Sequence, residues 1–153
     1  MAPLFLNRKF SKLKKYGKIS RAESYLKRNS KIINQTQGAN LMENMGVKLA
    51  QKQLDAYNAQ NLEEFLSVYS EDVQIMEFPS NRVTTNGLEE MRERYGKLFK
   101  DNPNNHAELL ARIVKENHVI DHEYVTGRAN GKEAKAVAVY EIQGEKIAKV
   151  WFL

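Results

Sequence analysis

Between His106 and Leu153 the chain reads as four consecutive runs of strand-forming residues: H-A-E-L-L-A-R-I-V-K, H-V-I-D-H-E-Y-V-T, K-E-A-K-A-V-A-V-Y-E-I and K-I-A-K-V-W-F-L. The breaks between them are short and turn-like: Glu116-Asn117, Arg128-Ala129-Asn130-Gly131 and Gln143-Gly144. Runs rich in Val, Ile and Tyr, joined by Asn/Gly turns, are hairpin signals. Helical patterns precede them, so the layout is α+β: three N-terminal helices packed on a strongly curved, mainly antiparallel sheet.

A chain of 153 residues is long enough for one domain with a sizeable core. No apolar run approaches a membrane span, which predicts a soluble, cytoplasmic protein without a membrane partner. The absence of cysteine excludes disulfides, thiolate metal sites and a cysteine nucleophile. The net charge of +5 is unevenly spread. Residues 1–45 hold ten Lys or Arg against Glu23 and Glu43, whereas the remainder carries 14 basic against 17 acidic side chains. Residues 1–45 therefore read first as a basic disordered extension or an upstream start. Organellar targeting and a nucleic-acid or membrane-surface arm are the other readings of that stretch. The domain proper, 46–153, carries no nucleic-acid signature.

From Gly46 the apolar residues recur at helical spacing, predicting a helix over 46–58 with Val47, Leu54 and Tyr57 on one stripe. Asn61 has the chemistry of an N-cap, with Glu63 and Glu64 in the first turn of a helix running to about Tyr69. Val73–Phe78 alternates as a short strand stopped by Pro79, and a further short strand or loop falls near Arg82–Thr85. Asn86-Gly87 then leads into a third helix, about 88–100, with Leu88, Met91, Tyr95, Leu98 and Phe99 inward.

The turns set the faces of the sheet. A two-residue turn at Glu116-Asn117 pairs Arg112 with Asp121 and puts both on one face with Glu123, Val119 and Val125. A three-residue loop at Ala129-Asn130-Gly131 would pair His122 with Ala138 and Tyr124 with Ala136. On that register the concave face holds His122, Tyr124, Ala134, Ala136, Ala138, Tyr140 and Ile142. The convex face holds Arg112, Val119, Asp121, Glu123, Val137 and Val139. The facing of Trp151 stays open.

The strings Y-N-A-Q-N-L-E-E-F-L-S-V-Y-S-E-D-V, E-F-P, G-L-E-E-M and G-E-K-I-A-K-V-W-F-L, in this order, resemble the nuclear transport factor 2-like superfamily. Within it, the chain is similar to the branch of ketosteroid isomerase and SnoaL-like polyketide cyclases, over about Met45 to Leu153, which implies that the curved sheet forms a cone-shaped, cystatin-like roll. The resemblance implies a base just before the proline that ends the first strand, a tyrosine on the first helix and a protonated acid on the third long strand. Those positions hold Phe78, Gln53 and Ala138. The usual isomerase groups are thus absent, and steroid isomerisation by that mechanism is not expected.

The resemblance implies a pocket, for which Gln53, Tyr57, Met76, Phe78, Phe99, Tyr124, Ala138 and Tyr140 are the candidate lining residues. Apolar residues at such spacing are ordinarily plain core. His122, mid-strand on the expected concave face, is the candidate catalytic group because its pKa lies near neutrality. A hydrogen-bonded structural histidine is the more frequent role of such a residue. His118 and His122 share a side but find no third ligand, so no metal site and no cofactor are expected. The function these readings support is binding of a small apolar or amphipathic ligand, with isomerase, cyclase or lyase chemistry possible. The alternative is a non-catalytic module with a filled core. The family commonly pairs through the convex face, which implies a homodimer.

Overall fold

The computed structural model describes residues 19–153, with side chains described from residue 23. The chain divides into two units, Met1–Gly38 and Ala39–Leu153. The expected disordered extension falls partly on residues 1–18, outside the described residues; from Ile19 onward the chain is helical. Helix α1 spans Ile19–Asn58. In its stretch up to Gly38, Tyr25, Leu26, Ile32 and Ile33 are exposed.

The second unit contains the sheet. Its elements are the rest of α1, α2 (Leu62–Leu66), β1 (Tyr69–Glu77), β2 (Arg82–Asn86), α3 (Leu88–Asp101), β3 (His106–Lys115), β4 (His118–Thr126), β5 (Ala134–Gln143) and β6 (Lys146–Phe152). The six strands lie in the order β2-β1-β6-β5-β4-β3. All neighbours are antiparallel except β1 and β6. The expected α+β architecture is therefore observed, as a sheet that curls without closing. Irregular registers at Ile75/Met76, Leu109/Ala111 and Glu141/Ile142 bend it, as an extra residue in one strand sharpens local twist.

The helices bury the stripes that their spacing requires. On α1, Gly46, Ala50, Gln53 and Leu54 are buried, one helical face of small and medium residues. Gly46 is needed for close approach: a Cβ there would lie 2.9 Å from the Val119 methyl. Asn61 caps α2 by accepting the Glu64 amide at 3.2 Å. That helix ends at Leu66 rather than near Tyr69, because the carbonyl of Val68 accepts the Ile147 amide at 2.9 Å and Tyr69 already pairs with Ile147. Sheet pairing overrides local helical pattern here. On α3, Met91, Tyr95 and Phe99 are buried. Tyr95 and Phe99 join Phe65, Tyr57 and Tyr69 in an aromatic cluster whose tightest pair, Phe65 and Tyr95, has ring centroids 4.5 Å apart.

Strand β4, and with it the Arg112–Ile113 part of β3, faces opposite to expectation. Arg112 does pair with Asp121, but on β5 Asp121 stands opposite Ala138 and Glu123 opposite Ala136, while His122 faces Val137. The pairing of His122 with Ala138 is thus off by one residue, and a one-residue slip turns every side chain of a strand to the other face. Val119, Asp121 and Glu123 are at most 7% exposed and look toward the helices. They are not on the convex face, and neither is the Arg112 guanidinium that pairs with Asp121. Val137 and Val139 do lie on the outer side, since Ala138 and Tyr140 between them are buried.

The connection between β4 and β5 accounts for the slip. The ladder stops at Val125 and Ala134, so the loop is longer than a tight hairpin. Gly127, at φ 72°, packs so closely on the Asn104 carbonyl that a Cβ would sit 1.8 Å from that oxygen. Only glycine fits such an approach. The amide of Ala129 then donates to the Asn102 side chain at 3.1 Å. The chain thus leaves the ladder to dock on the loop before β3, which sets the register.

Asp121 is fully buried and takes two parallel hydrogen bonds of 2.7 Å from Arg112. Arg112 also donates to Gln51 of α1 at 3.0 Å. Removing one partner of such a pair leaves a buried charge uncompensated. Arg112→Met is expected to lower unfolding stability by about 3–5 kcal/mol, read as a fall in the urea midpoint. Arg112→Met combined with Asp121→Leu should recover most of it; a single variant as stable as wild type would show that the pair does not hold the register.

Candidate functional site

A cavity of about 300 Å³ opens between the three helices and the concave face of the sheet. Its wall is mostly apolar and aromatic, built by Leu54, Phe65, Met76, Tyr95, Leu98, Val125 and Phe152. Such a volume lies at the lower end of ordinary ligand sites. Ala136 on β5 is the reason space remains, because it stands opposite Glu123 with almost no side chain of its own.

Glu123 projects into this wall from the middle of β4 and is 7% exposed. Its Oε1 is buried without a hydrogen-bond partner among the described residues. Burial is the main force that pushes its carboxyl up to about 7, and the neighbouring Asp121 charge adds to it. Arg112 and the Tyr140 hydroxyl pull the other way, by a smaller amount. Arg112 is already committed to Asp121, so Glu123 has no ion-pair partner of its own among the described residues.

Beside this carboxyl runs a chain of polar groups. Gln53 donates its amide to the Tyr140 hydroxyl at 2.9 Å, and the Tyr69 hydroxyl donates to the Gln53 carbonyl oxygen at 3.3 Å. Because Gln53 fills an acceptor position on the Tyr140 oxygen, the Tyr140 O–H proton remains free to donate. Burial pushes the Tyr69 and Tyr140 hydroxyls well up and that of Tyr95 to about 12, so all three keep their protons at neutral pH. Tyr57, on the same wall, accepts a hydrogen bond from the Asn105 side chain. A titratable carboxyl among neutral hydroxyl donors can take a proton from a bound molecule while a hydroxyl steadies a developing oxyanion.

Two guanidinium groups also reach the cavity, Arg94 from α3 and Arg128 from the loop after β4. Arg94 donates to Thr84 and Thr85 at 3.2 and 2.8 Å. Glu77 lines the cavity too, but it is held by Arg82.

Of the residues expected at the pocket, Gln53, Tyr57, Met76 and Tyr140 line this cavity. Phe99 and Ala138 are buried in the core around it rather than on its wall. Phe78 is 57% exposed beyond the end of β1, and Tyr124 points to the outer side with its hydroxyl on Glu133. His122 shares that outer side, two residues from Tyr124 on the same strand, and lies away from the cavity. Placing it on the concave face was an error of register. Trp151 also faces outward, opposite Val139, and donates to Asn81 at 3.0 Å. Among the described residues, no group of three or more His, Asp or Glu is placed to hold a metal ion.

Glu123, Arg128, Arg94, Tyr69 and Tyr95 are polar groups of the wall that reading the sequence did not place at the pocket, Glu123 being expected on the convex face. A signal for Glu123 existed: in V-I-D-H-E-Y-V the residues alternating with His122 run Val119, Asp121, Glu123, Val125. Acids flanked on their own face by β-branched residues at both ends fit a core-facing strand as well as a paired outer face.

Comparison with known proteins agrees with this architecture. The profile of the SnoaL-like domain matches residues 50–150. An uncharacterised cystatin-fold protein of Novosphingobium aromaticivorans is similar in structure, with 27% identity over 71% of this chain and 97% of that one, at a TM-score of 0.65. A proposed polyketide cyclase of Sinorhizobium meliloti shares the fold at 15% identity, covering 69% and 94% of the two chains, with a TM-score of 0.60. A proposed ketosteroid isomerase of Kribbella flavida does so at 15% identity, 72% and 77% coverage and a TM-score of 0.61. No curated protein sequence matches the chain at a significant level. With the profile running from the C-terminal part of α1 into β6, over about two thirds of the sequence, the chain belongs to the SnoaL-like domain family, on the fold shared by cyclase-like and isomerase-like neighbours.

Proposed function

We propose that this protein binds a small, largely apolar molecule in the cavity and acts on it as an isomerase, cyclase or lyase, with Glu123 carrying the proton. The observation that carries this reading is the Glu123 carboxyl itself: buried, unpaired at Oε1, and facing a 300 Å³ cavity beside the Tyr140 hydroxyl. A general acid–base group is most effective when its pKa lies near the working pH. The groups facing Glu123 are Asp121 and Arg112 on the sheet, Tyr140 and Tyr69 on β5 and β1, Tyr95 on α3 and Tyr57 on α1. With Gln53, Phe78 and Ala138 at the positions of the ketosteroid isomerase groups, Glu123 takes over the role of base from a different strand. His122, on the outer side, takes no part.

Deuterium exchange next to the carbonyl of cyclic enones, followed by NMR in D₂O, tests the role. Glu123→Gln should slow wild-type exchange by about 10²-fold or more, the usual contribution of a positioned base, while His122→Ala should leave it unchanged. Unaltered exchange in Glu123→Gln would remove Glu123 from the chemistry.

The same carboxyl should mark the pH dependence of stability. Its pKa is 4.5 when free and about 7 in the folded protein, so between these values the folded state binds more protons than the unfolded chain. Stability therefore falls as pH rises through that window, by up to about 3 kcal/mol in all. Glu123→Gln abolishes this dependence and should raise the melting midpoint at pH 8 more than at pH 5. Parallel stability–pH curves for the two proteins would show that Glu123 does not titrate there.

The outer face supports pairing of two copies. Ile113 is 62% exposed there, and Ile120, His122, Val137, Val139 and Trp151 are half-buried around it. An apolar patch of this kind is commonly an interaction surface. Val139→Asp should convert a dimer into a monomer in light scattering; a wild type already monomeric at micromolar concentration would refute the pairing.

A further inference from the structure

Arg128 combines three features that together ask for an acceptor. Its Nε is buried without a hydrogen-bond partner, and it makes no ion pair among the described residues. It lines the cavity, close enough to Tyr57 for its charge to act on that hydroxyl. And its backbone is fixed on both sides. Gly127 sits against the Asn104 carbonyl, the Ala129 amide donates to Asn102 at 3.1 Å, and the Arg128 carbonyl accepts the Gly131 amide at 2.8 Å.

Of the other charged groups on the wall, Glu77 and Arg94 are engaged and Glu123 is an acid. Glu77 is held by Arg82, through hydrogen bonds that include one of 3.1 Å from the Arg82 Nε. Arg94 has the Thr84 and Thr85 hydroxyls, and Glu123 is close to half-protonated at neutral pH. What remains is a free guanidinium at the wall of an otherwise apolar and aromatic cavity. A desolvated donor without an acceptor is unfavourable, and a guanidinium presents a planar fork that matches a carboxylate through two parallel hydrogen bonds. A group held in place before binding also loses less freedom on binding.

We propose that the ligand is an aromatic or alicyclic carboxylate, its ring system in the apolar part of the cavity and its carboxylate on Arg128. This rests on the reading of the cavity as the ligand site, and it adds the charge class of the ligand. A single free guanidinium matches a monoanion, whereas a phosphate dianion calls for more donors than Arg128 supplies. The reacting carbon then lies away from the anchored carboxylate, toward Glu123.

The test compares 2-naphthylacetate with 2-naphthylacetamide, the same ring system with and without the charge, by NMR titration of wild type, Arg128→Gln and Arg128→Lys. The Glu123 side-chain carboxyl resonance is followed in each. The carboxylate should bind wild type at least tenfold more tightly than the amide, with an advantage that shrinks at high salt. Arg128→Gln should reduce that advantage below threefold, and Arg128→Lys, which keeps the charge but loses the fork, should retain part of it. Amide binding in both variants reports that they are folded. Equal affinities in wild type, or an advantage that survives Arg128→Gln, would overturn the carboxylate clamp while leaving the cavity as the site, provided that Glu123 responds. If neither probe shifts the Glu123 resonance up to millimolar concentration, the cavity reading itself fails, and the clamp with it.

Discussion

The fully buried carboxylate of Asp121, gripped by Arg112, is the constraint around which the sheet is arranged. Desolvating a carboxylate is costly unless its oxygens are fully engaged, and Arg112 engages both. The same guanidinium reaches Gln51 on α1, which in turn donates to Asp55 at 2.8 Å. A polar thread thus runs from β4 through β3 to the helix above it. A slip of β4 by one residue would turn Asp121 to the outside and leave Arg112 without its partner, so the pair opposes other registers as well as stabilising this one.

The site follows from that register. Once Asp121 faces inward, Glu123 must do so too, two residues along the same strand. Arg112 cannot serve both carboxyls. Glu123 is left in a desolvated position next to a like charge, which is what raises its proton affinity. A stable structural pair and a buried acid with raised proton affinity are therefore two results of one geometry.

Around this centre the fold is generic and the wall is particular. The relatives with cyclase-like and isomerase-like descriptions share the curled sheet and helices at about 15% identity, a level at which the architecture persists and the side chains do not. In this chain Ala136 on β5 keeps the concave face open, Gln53 ties Tyr69 to Tyr140, and Gly127 places Arg128 at the wall. Chemical identity resides in those few positions.

By itself the sequence determined the class of fold, the inward stripes of α1 and α3, the cap at Asn61, the pairing of Arg112 with Asp121, and the alternation of β5 that buries Ala138 and Tyr140. These are local or nearest-neighbour properties, set by periodicity and turn chemistry. Only the tertiary structure decided which side of β4 meets the helices. A period of two says which residues share a face but not which face it is. That choice was made by the long-range contact of Gly127 with Asn104, which takes the chain out of the ladder after Val125 and changes the pairing by one. It exchanged His122 for Glu123 at the cavity, and no local pattern in the strand records a contact made by the loop beyond it.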